Sequence, residues 1–139
     1  MTVKVAGFWE RGWDTPWQEF NWWKHPLSEF QIDQFYMSPV TGIDKSYVTE
    51  FGDINEIASA NSDLTHVYID ENATTTLPDF THPANALYIL GRTSYSPYTV
   101  SFREGTDLAV KIPSFTNSGG FWGHQAATMI LYDRYIKGL

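Results

Sequence analysis

The spacing of apolar positions changes several times along the chain, and each change marks an element. Val3 to Phe8 alternates and then becomes continuously apolar, as in a strand buried on both faces. Asp14 or Thr15 can cap a helix that has Pro16 in its first turn. From Trp17 the apolar residues recur at Phe20, Trp23, Leu27 and Phe30, close to helical spacing. His25-Pro26 interrupts that pattern and predicts a kink or a break, because proline removes a backbone donor. Gln34 to Pro39 and Tyr47 to Phe51 read as the second and third strands, with a loop at Thr41-Gly42 between them. Asp53 then caps a short helix whose apolar face is Ile54, Ile57 and Ala58.

Thr65 to Ile69 is a fourth strand that ends in Asp70-Glu71. The stretch from Asn72 to Asn85, with Pro78 and Pro83, is a connection holding at most one helical turn. Ala86 to Leu90 and Leu108 to Ile112 are the fifth and sixth strands, and each runs straight into a loop. A last helix spans Phe121 to Ile136, with Ala126, Ala127, Ile130 and Leu131 as its buried stripe and Gly138 as its stop. Strands alternating with helices predict one α/β domain over residues 1–139, with a mainly parallel sheet of about six strands flanked by helices. In such a sheet a ligand cleft lies at the carboxyl edge, here between the last two strands and the closing helix.

Charge and composition narrow the chemistry. The formal net charge is −7, which disfavours a protein that holds nucleic acid by a basic surface of its own, although a dimer can still build a local basic groove. Cysteine is absent, so disulfides, thiolate zinc sites and thiol nucleophiles are excluded, in keeping with a reducing, cytoplasmic setting. The four histidines, His25, His66, His82 and His124, have no HExxH-like or carboxylate-linked spacing, so no metal site is expected. The apolar run at the N-terminus is short for a signal sequence, and no stretch is long enough to span a membrane. Asp70-Glu71 at a strand end reads as a solvated loop, because no G-x-G-x-x-G precedes it. Aromatics make up 17% of the chain, and Trp9, Trp13, Trp17, Trp22 and Trp23 crowd its first quarter. Such density marks core or subunit interface, and less often a stacking platform for bases.

Three motifs in the last third carry a resemblance. Leu-Tyr-Ile-Leu-Gly (87 to 91), Val110-Lys111-Ile112-Pro113, and the Ala-rich helix ending Ile130-Leu131-Tyr132-Asp133 resemble the SpoU/TrmH branch of the SPOUT methyltransferases. The family pattern there reads roughly vyvlG-x-E-x-x-G, v-x-I-P and S-L-N-v-x-x-A-x-x-i-x-l-Y-E. Glu29-Phe30-Gln31-Ile32-Asp33 is similar to the family's a-F-G-V-D, and the order of elements agrees over most of the chain. The resemblance implies a trefoil-knotted α/β fold and a homodimer whose knot regions face each other. It also implies a bent S-adenosyl-L-methionine held largely by backbone groups, and methyl transfer to a ribose 2′-hydroxyl of tRNA or rRNA. By position, the cofactor contacts would be Leu90, Gly91, Ile112, Phe121 and Trp122. Gly91 also suits this place on its own chemistry, because a glycine at a strand end lets a ligand approach the backbone closely.

The chain departs from the family at the residues that carry chemistry. Thr93 stands at the motif glutamate, Ser96 at the later glycine, and Gly120-Phe121-Trp122 at the Ser-Leu-Asn triplet. The family arginine that helps to activate the ribose hydroxyl falls on Lys24 or His25, which are therefore the candidate catalytic residues. Tyr95 is a candidate for covering the ligand, and His124 and Gln125 for contacting its methionine end or facing a partner subunit. The functional expectation is an RNA methyltransferase. The alternative is a catalytically inactive SPOUT-like module that binds the cofactor or another protein.

Overall fold

In the computed structural model, which describes residues 1–9, 15–42, 47–90, 102–117 and 120–139, the chain forms a six-stranded sheet in which every paired strand is parallel. The strands are β1 (Val3–Phe8), β2 (Gln34–Ser38), β3 (Val48–Glu50), β4 (Thr65–Ile69), β5 (Ala86–Leu90) and β6 (Leu108–Val110). Their order across the sheet is β3-β2-β1-β5-β4-β6. β1 and β5 lie side by side at the centre, Val5 opposite Tyr88 and Gly7 opposite Leu90. The chain leaves β1 towards one edge and fills the other edge from β4 onwards, so the strand order reverses between β1 and β5. Beyond the carboxyl ends of strands at such a reversal, open α/β sheets form their crevices.

Helices α1 (Pro16–Glu29) and α3 (Gly123–Ile136) cover one face of the sheet, and α2 (Ile54–Ala60) covers the other. Alternation along the strands divides the core accordingly. Val5, Phe35, Met37, Val67, Tyr88, Leu90 and Val110 pack with Phe20, Trp23, Ala127 and Ile130 under α1 and α3. Ala6, Tyr36, Tyr68, Leu87 and Ile89 pack with Ile54 and Ile57 under α2. With both faces covered, a central strand has no solvent side, which is why all of β5 is apolar and buried. A fully buried Phe20 or Ile130 contributes roughly 1.5–3 kcal/mol relative to exposure.

The helix signals act as the residues predict, with one exception. Thr15 Oγ1 accepts from the Gln18 N–H and Gln18 Oε1 accepts from the Thr15 N–H, a reciprocal cap with Pro16 directly after it. Asp53 Oδ1 accepts from the Glu56 N–H and caps α2. Of the kink or break expected at His25-Pro26, the break does not occur: α1 is continuous through Pro26 to Glu29, which leaves the kink as the other expectation. Trp23 and Leu27 on either side of Pro26 are buried against the sheet, and the Phe30 N–H still reaches the Pro26 carbonyl at 3.2 Å. Packing on both flanks outweighs the donor lost at one position.

Four elements are shorter than expected: β2 ends at Ser38 rather than Pro39, β3 spans Val48–Glu50 rather than Tyr47 to Phe51, and β6 and α3 shift by two residues. β6 ends at Val110, before the expected Ile112, because its neighbour β4 has ended; Lys111 then donates to the Thr75 carbonyl and accepts from the Leu77 N–H. α3 begins at Gly123, after an extended Trp122 whose N–H donates to Gln125 Oε1 at 2.9 Å. Indole has no acceptor, so only this half of a reciprocal cap exists. The connection from Asn72 to Asn85 holds a single 3₁₀ turn, Leu77–Asp79, as expected. The knot implied by the family resemblance turns on residues 91–101, which lie outside the described residues, as do Gly91, Thr93, Tyr95 and Ser96.

Candidate cofactor site and its aromatic border

At the carboxyl edge the entry into α3 at Gly123 meets the end of β5 at Leu90, and the stretch from Lys111 to Pro113 continues past the end of β6, two strands away in the sheet. Trp23 draws the first two together. Its indole is fully buried between β1 and α3, and a Cβ placed on Gly7 would lie 2.8 Å from its Cζ2. A Cβ placed on Gly123 would lie 2.6 Å from the same atom and 3.0 Å from the Leu90 carbonyl oxygen. Only a residue without Cβ lets α3 start this close to the end of β5. Trp23 is itself fixed by its N–H, which donates to the buried Glu19 Oε1 at 2.7 Å.

The candidate cofactor residues divide into backbone and ring contributors. Among the described residues, the N–H and C=O groups of Ile112 and Phe121 make no hydrogen bond, although Ile112 is half-buried and packs on the core. Half-buried backbone groups are ordinarily paired, so the groups of Ile112 are candidates to bind the edge of a heterocycle, and those of exposed Phe121 are accessible to one. That donor set fits a cofactor held by main-chain groups. Trp122 differs, since its N–H is taken by Gln125 and its C=O accepts from the Ala126 N–H at 2.9 Å. What Trp122 has to offer is its ring.

That ring belongs to a cluster that reasoning from sequence did not assemble. Trp22 of α1 lies 5.4 Å from Trp122 and 5.2 Å from His124 between ring centroids, and Trp122 lies 5.8 Å from His124. His124 also meets the buried Trp23 edge-on at 6.5 Å. Of the first-quarter tryptophans, Trp9 and Trp23 are core, whereas Trp17 and Trp22 are exposed. Trp13 and Gly119 lie outside the described residues.

Lys24 and His25 are exposed on α1. Lys24 extends over the Tyr47 ring, 5.5 Å from its centroid, just ahead of β3 and so away from Leu90. Burial pushes the Tyr47 hydroxyl above its ordinary value. Asp70, expected in a solvated loop, is instead buried and accepts from the Asn72 N–H, while its own N–H donates to the Val110 carbonyl. It terminates β4 and holds β6 against it.

The remaining buried polar groups form two clamps away from this edge. Asp107, just before β6, accepts from the Arg103 guanidinium at 2.8 Å and from the His66 N–H at 3.1 Å. Burial pushes its carboxyl up, but the hydrogen bonds from Arg103 and His66 outweigh this and leave it below the ordinary carboxylate value. At the C-terminal half of α3, His82 bonds Asp133 and the Tyr88 hydroxyl, each at 2.7 Å. Arg134 donates to Tyr88 and to the Pro83 and Ala84 carbonyls, and Lys137 donates to those of Leu77 and Phe80. Burial lowers both His66 and His82 below the ordinary histidine value. Among the described residues no group of three or more His, Cys, Asp or Glu is placed to hold a metal ion, and no helix is long and apolar enough to cross a membrane.

No protein-family model matches the chain, and no curated protein matches it in sequence. Solved structures do match in fold. An RNA 2′-O ribose methyltransferase superposes with a TM-score of 0.74 at 12% identity, over 97% of this chain and 55% of its own. The SpoU methyltransferase AviRb from Streptomyces viridochromogenes, in complex with the cofactor AdoMet, superposes with a TM-score of 0.64 at 16% identity, over 99% of this chain and 61% of its own. The fold is that of the SpoU/TrmH methyltransferases. The present chain spans little more than half of those two proteins. It spans 98% of a structure described as giving insight into 2-OH methylation of C/U34 on tRNA, with a TM-score of 0.71 at 10% identity. The SPOUT-like sheet, with its order reversal at β1 and β5, thus accounts for nearly the whole chain.

Proposed function

We propose that this chain is an S-adenosyl-L-methionine-dependent RNA methyltransferase that acts as a homodimer on a ribose 2′-hydroxyl of tRNA or rRNA. The observation that carries the reading is the SPOUT-like sheet, past whose carboxyl edge the main-chain groups of half-buried Ile112 and exposed Phe121 have no hydrogen-bond partner among the described residues. Leu90, Gly91 and these two residues hold the adenosine end. The bound cofactor supplies a methyl group already activated on a sulfonium. The protein has only to hold the hydroxyl in line and accept its proton, and positioning supplies much of the rate. Lys24 and His25 face outwards on α1, so in a dimer they serve the site of the second copy.

Calorimetric titration with S-adenosylmethionine and S-adenosylhomocysteine tests the cofactor assignment, and absence of heat with both ligands would refute it. Methyl transfer from labelled donor to total RNA tests the reaction. The Lys24→Ala/His25→Ala variant is expected to lose transfer while still binding donor, and an unchanged rate would reject these two residues. A second reading, a non-catalytic cofactor-binding or interaction module, is favoured by the lack of arginine at positions 24 and 25. Donor binding without transfer to any RNA would select it.

A further inference from the structure

We propose that Trp122, backed by Trp22 and His124, is the platform on which an unpaired base of the RNA stacks next to the cofactor pocket. The inference rests on the RNA-methyltransferase reading and adds how the substrate is gripped. Trp122 directly follows Phe121, whose backbone borders the pocket, and its side chain is 58% exposed while its backbone is fully engaged. The ring is not free to wander. Trp22 and His124 support it at 5.4 and 5.8 Å, and His124 rests in turn on the buried Trp23. A preorganised aromatic face with one open side is what an extruded base requires, and it accepts any base because each has a π-face.

Charge distribution selects a nucleic acid as the occupant. The chain carries a net −7, yet Leu108 to Tyr132 contains no Asp or Glu. α1 carries two carboxylates: Glu19, which is buried against Trp23, and Glu29, exposed at the last residue of the helix. Exposed His25 lies one turn beyond Trp22 on the same helix, whereas Lys24 extends over Tyr47. In an acidic protein, the entry to α3 and the middle turns of α1 therefore present tryptophan rings and imidazoles, and the exposed carboxylate of α1, Glu29, stands about two turns away from Trp22. Stacking on one ring demands an unstacked base, so the surface fits a loop or single strand rather than duplex.

The test is fluorescence anisotropy of fluorescein-labelled single-stranded oligouridylate against an RNA hairpin with no unpaired stretch, using the full chain at fixed salt. Single strand is expected to bind more tightly than hairpin and to quench tryptophan emission. Trp122→Ala is expected to weaken it by about tenfold or more, and Trp122→Phe to retain most of the affinity. Equal binding by the Trp122→Ala variant, by the phenylalanine variant and by wild type overturns the platform, as does equal affinity for hairpin. Sedimentation of the same variants adds a further arm. Conversion of a dimer to a monomer by Trp122→Ala or Trp22→Ala overturns the proposal and assigns the rings to contact with a second copy. Donor titration of wild type separates the two readings. Donor binding without single-strand binding overturns the platform alone, whereas ring-dependent RNA binding without donor binding upholds the platform and refutes the methyltransferase.

Discussion

Gly123→Ala is the sharpest probe of how the candidate pocket is assembled. The added Cβ would sit 2.6 Å from Trp23 Cζ2, 3.1 Å from its Cη2 and 3.0 Å from the Leu90 carbonyl oxygen. Trp23 cannot retreat easily, because Gly7 approaches the same Cζ2 from β1 and Glu19 holds the indole N–H. Overpacking of this kind costs roughly 1–3 kcal/mol. Replacing glycine by alanine in a helix returns at most about 1 kcal/mol, and less at the first helical position. The net loss is therefore about 1–2 kcal/mol, a fall of about 0.5–1 M in the urea midpoint at an ordinary slope for a domain of this size. Urea titration followed by tryptophan emission measures it. Trp23→Phe removes the two clashing ring atoms, so the Gly123→Ala/Trp23→Phe double variant should show a coupling energy of about 1 kcal/mol or more in a mutant cycle. Strict additivity, or a Gly123→Ala protein as stable as wild type, would refute the wedge.

Other outcomes follow from the buried polar groups. The folded-state values of His66 and His82 lie below the ordinary 6.5, chiefly through burial, so between the lowered value and 6.5 the unfolded chain binds more protons. Stability should therefore fall as pH drops below about 6.5, by up to roughly 1.4 kcal/mol per unit for each histidine, and His82→Gln should shallow that slope in denaturant titrations from pH 7.5 to 5. A flat profile would refute the assignment. Glu19→Ala leaves the Trp23 N–H buried without its carboxylate and should cost about 1–3 kcal/mol, whereas Glu19→Gln keeps an acceptor and should cost clearly less in the same assay. Arg103→Ala should likewise destabilise by about 1–3 kcal/mol, read as a lower urea midpoint, because it strips donors from buried Asp107 and frees the Ser62 and Leu64 carbonyls.

The sheet was legible because its strands are buried on both faces, and continuous apolar runs such as Ala86 to Leu90 have few other readings. The cap Asp53 was equally legible, and the first cap reads as Asp14 or Thr15; the structure selects Thr15, with Gln18 as its reciprocal partner. What failed was whatever depends on distant packing. Pro26 looks like a breaker until Trp23 and Leu27 are seen held by the sheet. Asp70 looks solvated until Val110 is seen paired beside it. The start of α3 could not be placed because its cap comes from Gln125 reaching back to a tryptophan. Within the site, the family frame pointed to Ile112 and Phe121, whereas the ring cluster stayed hidden: Trp22 and Trp122 meet only in three dimensions, and crowding of tryptophans does not say which are core. Gly7 and Gly123 gave no sign that one indole needs both.

The fastening of α3 bears on when the protein becomes competent during synthesis. Its N-terminus is wedged by Trp23 against β1 and β5, and Arg134 and Lys137 lash its other end to carbonyls of the 77–84 connection. All of these partners leave the ribosome before the helix does. Until the last turns emerge, the Val5, Tyr88 and Leu90 face has only the α1 part of its cover and the carboxyl edge lacks one wall. The nascent chain thus passes through an interval in which its sheet is written but its closing helix is not yet docked, and its vulnerability to aggregation should be greatest there.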